Sequence, residues 1–177
     1  MPIHTARLSL LPGTVRVLEA ELAGREALAA ALGVDIPESW PPPLYDADAM
    51  QWMLERLEEN SEFEVWGFRY FVRQAETSES RVAVGAGGFK GPPSSDGSVE
   101  IGYSVLPEFQ RQGLATEATE GLLQRAFEDP GVTHVLAETL PDLAPSIGVL
   151  EKTGFVITGE GSEPGVVRYE HRRKESL

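Results

Sequence analysis

The sequence predicts a mixed α/β fold, a largely antiparallel sheet with one parallel pair and helices flanking it. Three observations carry this. Through the C-terminal half, runs at strand spacing alternate with runs at helical spacing in the order strand, loop, helix, strand, helix, strand, strand. The helical crossover between Tyr103 and Val135 makes the strands on either side of it parallel, because parallel neighbours need such a connection. Short polar turns, "GPPSSDG" at 91–97 and the glycine-bearing stretch 161–165, make hairpins and hence antiparallel pairs.

Each element has a local reason. "TARLSLLP" (5–12) reads as a first strand. Residues 14–33 carry apolar side chains at helical spacing with an interruption at Gly24. The prolines of "PESWPPPLYDADAM" exclude regular structure until a second helix starts near Asp46, whose early acids suit the positive end of the helix dipole. Strands follow at 65–74, 80–89 and 98–106. A helix over 115–127 places Ala115, Ala118, Leu122 and Ala126 on one inner face, and "EDPG" stops it. Residues 132–140 form a further strand. The short helix "PSIGVLEKTG" has Pro145 in its first turn and Gly154 at its C-terminal cap. Residues 155–173 read as a closing hairpin. No repeat divides the chain, so 1–177 is expected as one domain: an N-terminal part, 1–79, and a core, 80–173.

Composition narrows the function classes. The chain has 177 residues, enough to bury a core, and no cysteine, which removes disulfides, thiolate-bound zinc and a thiol nucleophile. Fifteen Lys and Arg against 28 Asp and Glu give a net charge of −13, which repels polyanions and argues against a nucleic-acid partner. No apolar run approaches the roughly 20 residues of a membrane span, and the N-terminus lacks a signal-peptide layout, so the expected location is the cytoplasm. His4, His134 and His171 stand apart with no second ligand at metal spacing, so no metal is expected.

The stretch "PEFQRQGLATEA" (107–118) joins a strand directly to a helix and has no acid between Gln110 and Thr116. The first turn of a helix exposes unpaired N–H groups at a positive dipole end, so such a junction can hold an anion. Gly113 lets the backbone turn and a ligand approach, Ala115 keeps the next approach open, and Arg111 with the N–H groups from Gln112 to Thr116 could grip a pyrophosphate. A plain connection would also explain the glycine.

Residues 110–115, Gln-Arg-Gln-Gly-Leu-Ala, fit the Q/R-x-x-G-x-G/A signature, and the chain resembles the GCN5-related N-acetyltransferases (GNAT family) from there outward. "EIGYSVLPEFQRQGLATEA" is similar to that family's fourth strand and acetyl-CoA loop, and "PSIGVLEKTGF" to its last helix and following strand. "TARLSLLP" resembles the branch holding the ribosomal-protein N-terminal (Rim-type) acetyltransferases. The resemblance implies acetyl-CoA as co-substrate, with its pyrophosphate on the backbone N–H groups of Gln112, Gly113, Leu114, Ala115 and Thr116. It implies that Val105 and Leu106 pair with the pantetheine arm, and that a splay between "GYSV" and "LAET" admits the thioester. The acceptor would be a small-molecule amine or a protein N-terminus, and the branch includes monomers and homodimers. Three positions depart from the branch. Leu143 stands where an Asn is usual, Pro145 where an Ala precedes the Ser, and Leu150 where many relatives carry an acidic Tyr.

Direct acetyl transfer needs a neutral amine, donors for the oxyanion and modest help for the departing thiolate. Glu100 and Glu138, carboxylates on central strands, are the candidate bases, and Ser146 is the candidate thiolate donor and cofactor contact. Each has a structural alternative: a salt-bridged acid for the two glutamates, a helix cap for the serine. Glu151 and Lys152 read as a solvated pair. Trp40, Tyr45, Trp52, Trp66 and Phe68 lie where the family builds its acceptor pocket. A non-catalytic acyl-CoA binding module on the same fold is the alternative function. No G-x-x-x-x-G-K-[ST] supports a nucleotide-triphosphate enzyme.

Overall fold

A computed structural model describes residues 1–77 and 80–175. Eight strands form one sheet: β1 (Ile3–His4), β2 (Leu8–Pro12), β3 (Phe68–Arg73), β4 (Val82–Phe89), β5 (Ser98–Val105), β6 (His134–Thr139), β7 (Val156–Glu160) and β8 (Val167–Arg172). Their order is β1-β2-β3-β4-β5-β6-β8-β7. Among these eight strands β5 and β6 are the one parallel pair, as their helical crossover requires. The other neighbours are antiparallel.

Helices cover both faces. On one side, α1 (Val15–Ala23), α2 (Arg25–Leu32) and α3 (Ala47–Glu59) bury Leu18, Leu28, Met50 and Leu54 against Phe68, Tyr70, Val72 and Ala86. On the other side, α4 (Leu114–Glu128) and α5 (Ala144–Lys152) bury Leu114, Ala118, Leu122 and Leu150 against Leu10, Phe71, Val84, Ile101 and Val135. Phe71 and Tyr70 fall in different cores because successive side chains in a strand point to opposite faces.

Two expectations change in detail. The strand expected over 5–12 begins only at Leu8, and a further short strand, β1, precedes it across a turn in which the Thr5 N–H donates to the Leu8 carbonyl at 2.9 Å. The helix expected over 14–33 is two, because Gly24, at φ 135°, ends α1 and begins α2 in a conformation that β-carbon-bearing residues rarely adopt. Two helix starts are capped as acids and hydroxyls predict: the Thr14 hydroxyl accepts from the Val17 N–H at 3.4 Å at α1, and the Asp46 carboxylate from the Ala49 N–H at 3.0 Å at α3.

Candidate acetyl-CoA site

The β5–α4 junction is built differently from the capped starts of α1 and α3. No side chain caps α4; Gly113 stands at its cap with φ 76°. Arg111 also has a left-handed backbone, φ 61°. Two left-handed residues with one residue between them curl the chain so that successive N–H groups converge, and the uncapped N–H groups of Leu114, Ala115 and Thr116 continue the arc. A 15-residue helix adds its positive end.

A residue 105 positions away sets this loop. The Arg7 guanidinium donates from Nη1 to the Gln112 carbonyl at 2.8 Å. Across a trans peptide the carbonyl and the next N–H point in opposite directions, so the Gly113 N–H is turned away from Arg7. Glu117 fixes Arg7, accepting from Nε at 2.7 Å and from the Arg7 N–H at 2.6 Å, and also accepts from the Thr5 hydroxyl at 2.6 Å. Burial works to raise the Glu117 pKa, but these hydrogen bonds outweigh it and hold the carboxyl below its ordinary value. A carboxylate with a depressed folded pKa stabilises above the unfolded value and loses that contribution as pH falls through the folded one. Glu117→Gln should therefore cost about 1 kcal/mol at neutral pH, or roughly 2–4 °C in melting temperature. The gap from wild type should close below about pH 4; melting curves across pH measure this.

The sheet opens just before the loop. The β5–β6 ladder registers Ser98 with His134 through Ile101 with Ala137 and stops there, so Gly102 to Val105 part from β6. The Leu106 N–H bonds the Val84 carbonyl and the Glu100 carbonyl accepts from the Lys90 N–H, both toward the β4 side. Alternation then turns the backbone groups of Tyr103 and Val105 into the gap. Gln110 Nε2 caps the Val105 carbonyl at 3.0 Å. Leu106 is fully buried, and both its backbone groups are engaged, the carbonyl by the Phe109 N–H at 2.9 Å. The free edge is therefore one residue earlier than the sequence suggested, at Tyr103 and the N–H of Val105.

A cleft of about 1190 Å³ unites these parts. Val105, Arg111, Gly113, Leu114, Ala115, Thr116, Glu138 and Ser146 all line it. Gln112 faces outward and contributes its peptide to the Arg7 contact. Ser146 is the third residue of α5 and does not cap it; the cap position is Leu143, with no side-chain bond. The Thr139 hydroxyl donates to Ser146 Oγ at 3.0 Å, and Tyr103 donates to the Ser146 carbonyl at 3.1 Å. Tyr103 Oη is 3.5 Å from Ser146 Oγ. Burial pushes the Tyr103 phenol up to about 12 against the lowering effect of Ser146, so it stays protonated at neutral pH. Tyr103 and Thr139 thus surround the serine; neither was singled out in the sequence, although both lie in the two strands expected to splay. Leu150, at the position of the absent tyrosine, is core.

The two glutamates have different surroundings. Glu138 accepts from the Ser162 N–H and hydroxyl at 2.8 and 2.7 Å, and from Arg168 at 2.8 and 3.1 Å. Burial would raise its pKa, but Ser162 and Arg168 together hold it below the ordinary carboxylate range, which leaves a poor base that ties down the β7–β8 turn. Glu100 lies on the α3 side of β5, ion-paired with Lys90. Lys90 itself lines the cleft, as does Gly102, where a β-carbon would come within 3.3 Å of Tyr45 Oη and 3.6 Å of Lys90 Cε.

The aromatic residues divide. Tyr45, Trp52 and Phe68 line the cleft. Trp40 stacks on Tyr70 and donates to Glu21 at 2.8 Å, and Trp66 packs edge-on to Phe89 in the α4 core. His4, His134 and His171 each bond a neighbouring hydroxyl or carbonyl. Among the described residues no three His, Cys, Asp or Glu converge as a metal site, and no helix is long and apolar enough to cross a membrane.

The family model described as "Acetyltransferase (GNAT) domain" matches residues 18–156, most of the chain and all of the cleft's central strands. The chain belongs to the GNAT acetyltransferase family. An uncharacterized N-acetyltransferase of Bacillus subtilis (strain 168), YjdG, is 26% identical to this acetyltransferase over 161 residues, 91% of this chain and 93% of the relative. Two solved structures share the fold. The Microcin C7 self immunity acetyltransferase MccE, in complex with acetyl-CoA and AMP, has a TM-score of 0.64 at 15% identity, covering 95% of this chain and 93% of its own. RimL, a ribosomal L7/L12 alpha-N-protein acetyltransferase in complex with coenzyme A, has a TM-score of 0.64 at 15% identity, covering 97% and 98%. Structures that share the fold of this acetyltransferase therefore include a Rim-type protein.

Proposed function

We propose that this acetyltransferase moves an acetyl group from acetyl-CoA directly to a primary amine, of a small molecule or a protein N-terminus. The observation that supports it best is the continuity of one cleft from the uncapped α4 terminus, through the β5–β6 splay, to the aromatic wall of α3. The residues fit acetyl-CoA: convergent N–H groups for the pyrophosphate, an unpaired strand edge for the pantetheine amides, hydroxyls for the thiol end. Arg111, on the cleft's rim, adds a positive charge beside the phosphates.

In the proposed reaction the amine nitrogen bonds the acetyl carbon and the carbon–sulfur bond breaks. The amine gives up a proton and the coenzyme A thiolate takes one. Ser146 receives a hydrogen bond from Thr139, which leaves its own proton free for the sulfur. The positive end of α5 favours the same thiolate. Ser146→Ala should slow transfer by about 1–2 kcal/mol of barrier, the value of one hydrogen bond, with melting temperature little changed, since the serine caps nothing. An unchanged rate per folded molecule, read on the same preparation as the melt, would reject the role. Glu100 is the proposed base.

The test of the function is calorimetric titration with acetyl-CoA, then free-thiol release with a panel of amines. Release with at least one amine is expected. Binding without release under every amine would favour a non-catalytic acyl-CoA module, and absence of binding would overturn the donor site.

A further inference from the structure

Resting on that reading, the wall opposite α5 says more about the amine. It is built by α3, the chain before it, and strands β3 and β4. Its side chains include Leu44, Trp52, Met53, Leu57, Phe63 and Phe68. Leu44 is 83% exposed and Trp52 50% exposed, large apolar groups left open to water at the cleft's mouth. A soluble chain gains nothing in stability from such exposure, and apolar side chains converging on one cleft mark a binding surface.

The charge on this wall is equally informative. On this wall Lys90 is the one charged side chain among the described residues, and Glu100 already neutralises it; Arg111, Glu138, Lys152 and Glu163 line other parts of the cleft. No free carboxylate stands there to receive a second ammonium. Across the cleft Glu138 is saturated by Ser162 and Arg168, and Glu163 lines the far side on the β7–β8 turn, away from the aromatic wall. A polyamine or a lysine-rich segment would find no carboxylate on this wall to pair its further ammonium groups. The overall charge of −13 still draws a cation toward the protein, but the wall that receives it is apolar.

Gly102 sets where the two meet. It lies at the start of the splay, with Tyr45 Oη and Lys90 Cε just beyond where a side chain would begin. Its missing side chain keeps open a short passage from the aromatic wall to the gap that would hold the thioester. An amine on a short linker from its apolar group would span it.

We propose that the acceptor is a small primary amine carrying an aromatic or branched aliphatic group, seated between Trp52 and Phe63 with its nitrogen over Gly102. Phenethylamine, ethanolamine, spermidine and an alanine-initiated hydrophilic peptide are the probes. Thiol release from acetyl-CoA should show phenethylamine at least 10-fold above ethanolamine in kcat/KM, since burying a phenyl group contributes on the order of 10–100-fold. Trp52→Ala should cut that preference by about 10-fold, and Gly102→Val should abolish turnover of phenethylamine while acetyl-CoA still binds. Equal or better use of ethanolamine, spermidine or the peptide would overturn the proposal. Calorimetric titration of phenethylamine into the protein saturated with coenzyme A reads the pocket without turnover. If no amine releases thiol, acetyl transfer to amines fails as a reading, and this titration alone then decides the pocket: saturable binding weakened by Trp52→Ala supports it, and no binding overturns it.

Discussion

Gly113→Glu is expected to abolish acetyl-CoA binding while the protein stays folded. Gly113 holds φ 76° at the uncapped start of α4, and the β-carbon of any replacement would sit 3.3 Å from Arg7 Nη2. Two costs follow. The left-handed backbone penalises an L side chain by about 1–2 kcal/mol. The added carboxylate would also stand beside the proposed pyrophosphate, where a unit charge pair 4 Å apart near a protein surface repels by about 4 kcal/mol. Together they predict a loss of affinity above roughly 10³-fold, at the rate of tenfold per 1.4 kcal/mol. Gly113→Asn separates the two costs, because asparagine tolerates the left-handed region and brings no charge. It should retain binding within about tenfold. Calorimetric titration of both variants, with circular dichroism to show that they fold, makes the comparison. Wild-type affinity in folded Gly113→Glu would remove the pyrophosphate from this loop.

Glu100→Gln should lower turnover at neutral pH by about 10²-fold with little change in acetyl-CoA affinity, as expected for loss of a general base. The amide keeps the shape of the side chain and loses its basicity. Glu100 is two residues before Gly102 on the same face of β5, behind Lys90 and outside the residues that line the cleft. Lys90 lies between, its ammonium on the Glu100 carboxylate. That pairing argues for a proton leaving the amine by way of water rather than by direct contact. The loss should shrink as pH rises toward the pKa of the amine, where more of it is already neutral. A flat ratio of variant to wild type across pH would point to a structural effect of the broken ion pair. A wild-type rate would assign the proton to bulk water, since Glu138 is held by Arg168 and Ser162.

The sequence by itself determined the elements and the loop. Strand and helix spacing, with the crossover between Tyr103 and Val135, was enough for a mixed sheet with one parallel pair, because these are consequences of local periodicity and chain connectivity. The left-handed turn at Gly113 was legible because a glycine between a strand and a helix marks a local backbone requirement. The turn at the start of 5–12, with β1 ahead of it, was less legible, since Thr5 turns the chain by a bond to Leu8 that carries no glycine or proline signal.

Only the tertiary structure decided what each side chain faces. Arg7 reaches the Gln112 carbonyl across 105 residues, and no short-range pattern announces such a contact. Glu138 reads as a base in a strand until Ser162 and Arg168, brought in by the β7–β8 hairpin, fill its lone pairs. Ser146 reads as a cap until α5 begins two residues earlier and Thr139 and Tyr103 close on it. Leu106 reads as a free strand end until Val84 and Phe109 take both its backbone groups. The aromatic residues looked alike in sequence, and only packing separates Trp66 in the core from Trp52 on the cleft. In each case the chemistry depends on partners distant in sequence. Those partners are fixed by which faces of the sheet the helices cover, a property of the assembled fold rather than of any segment.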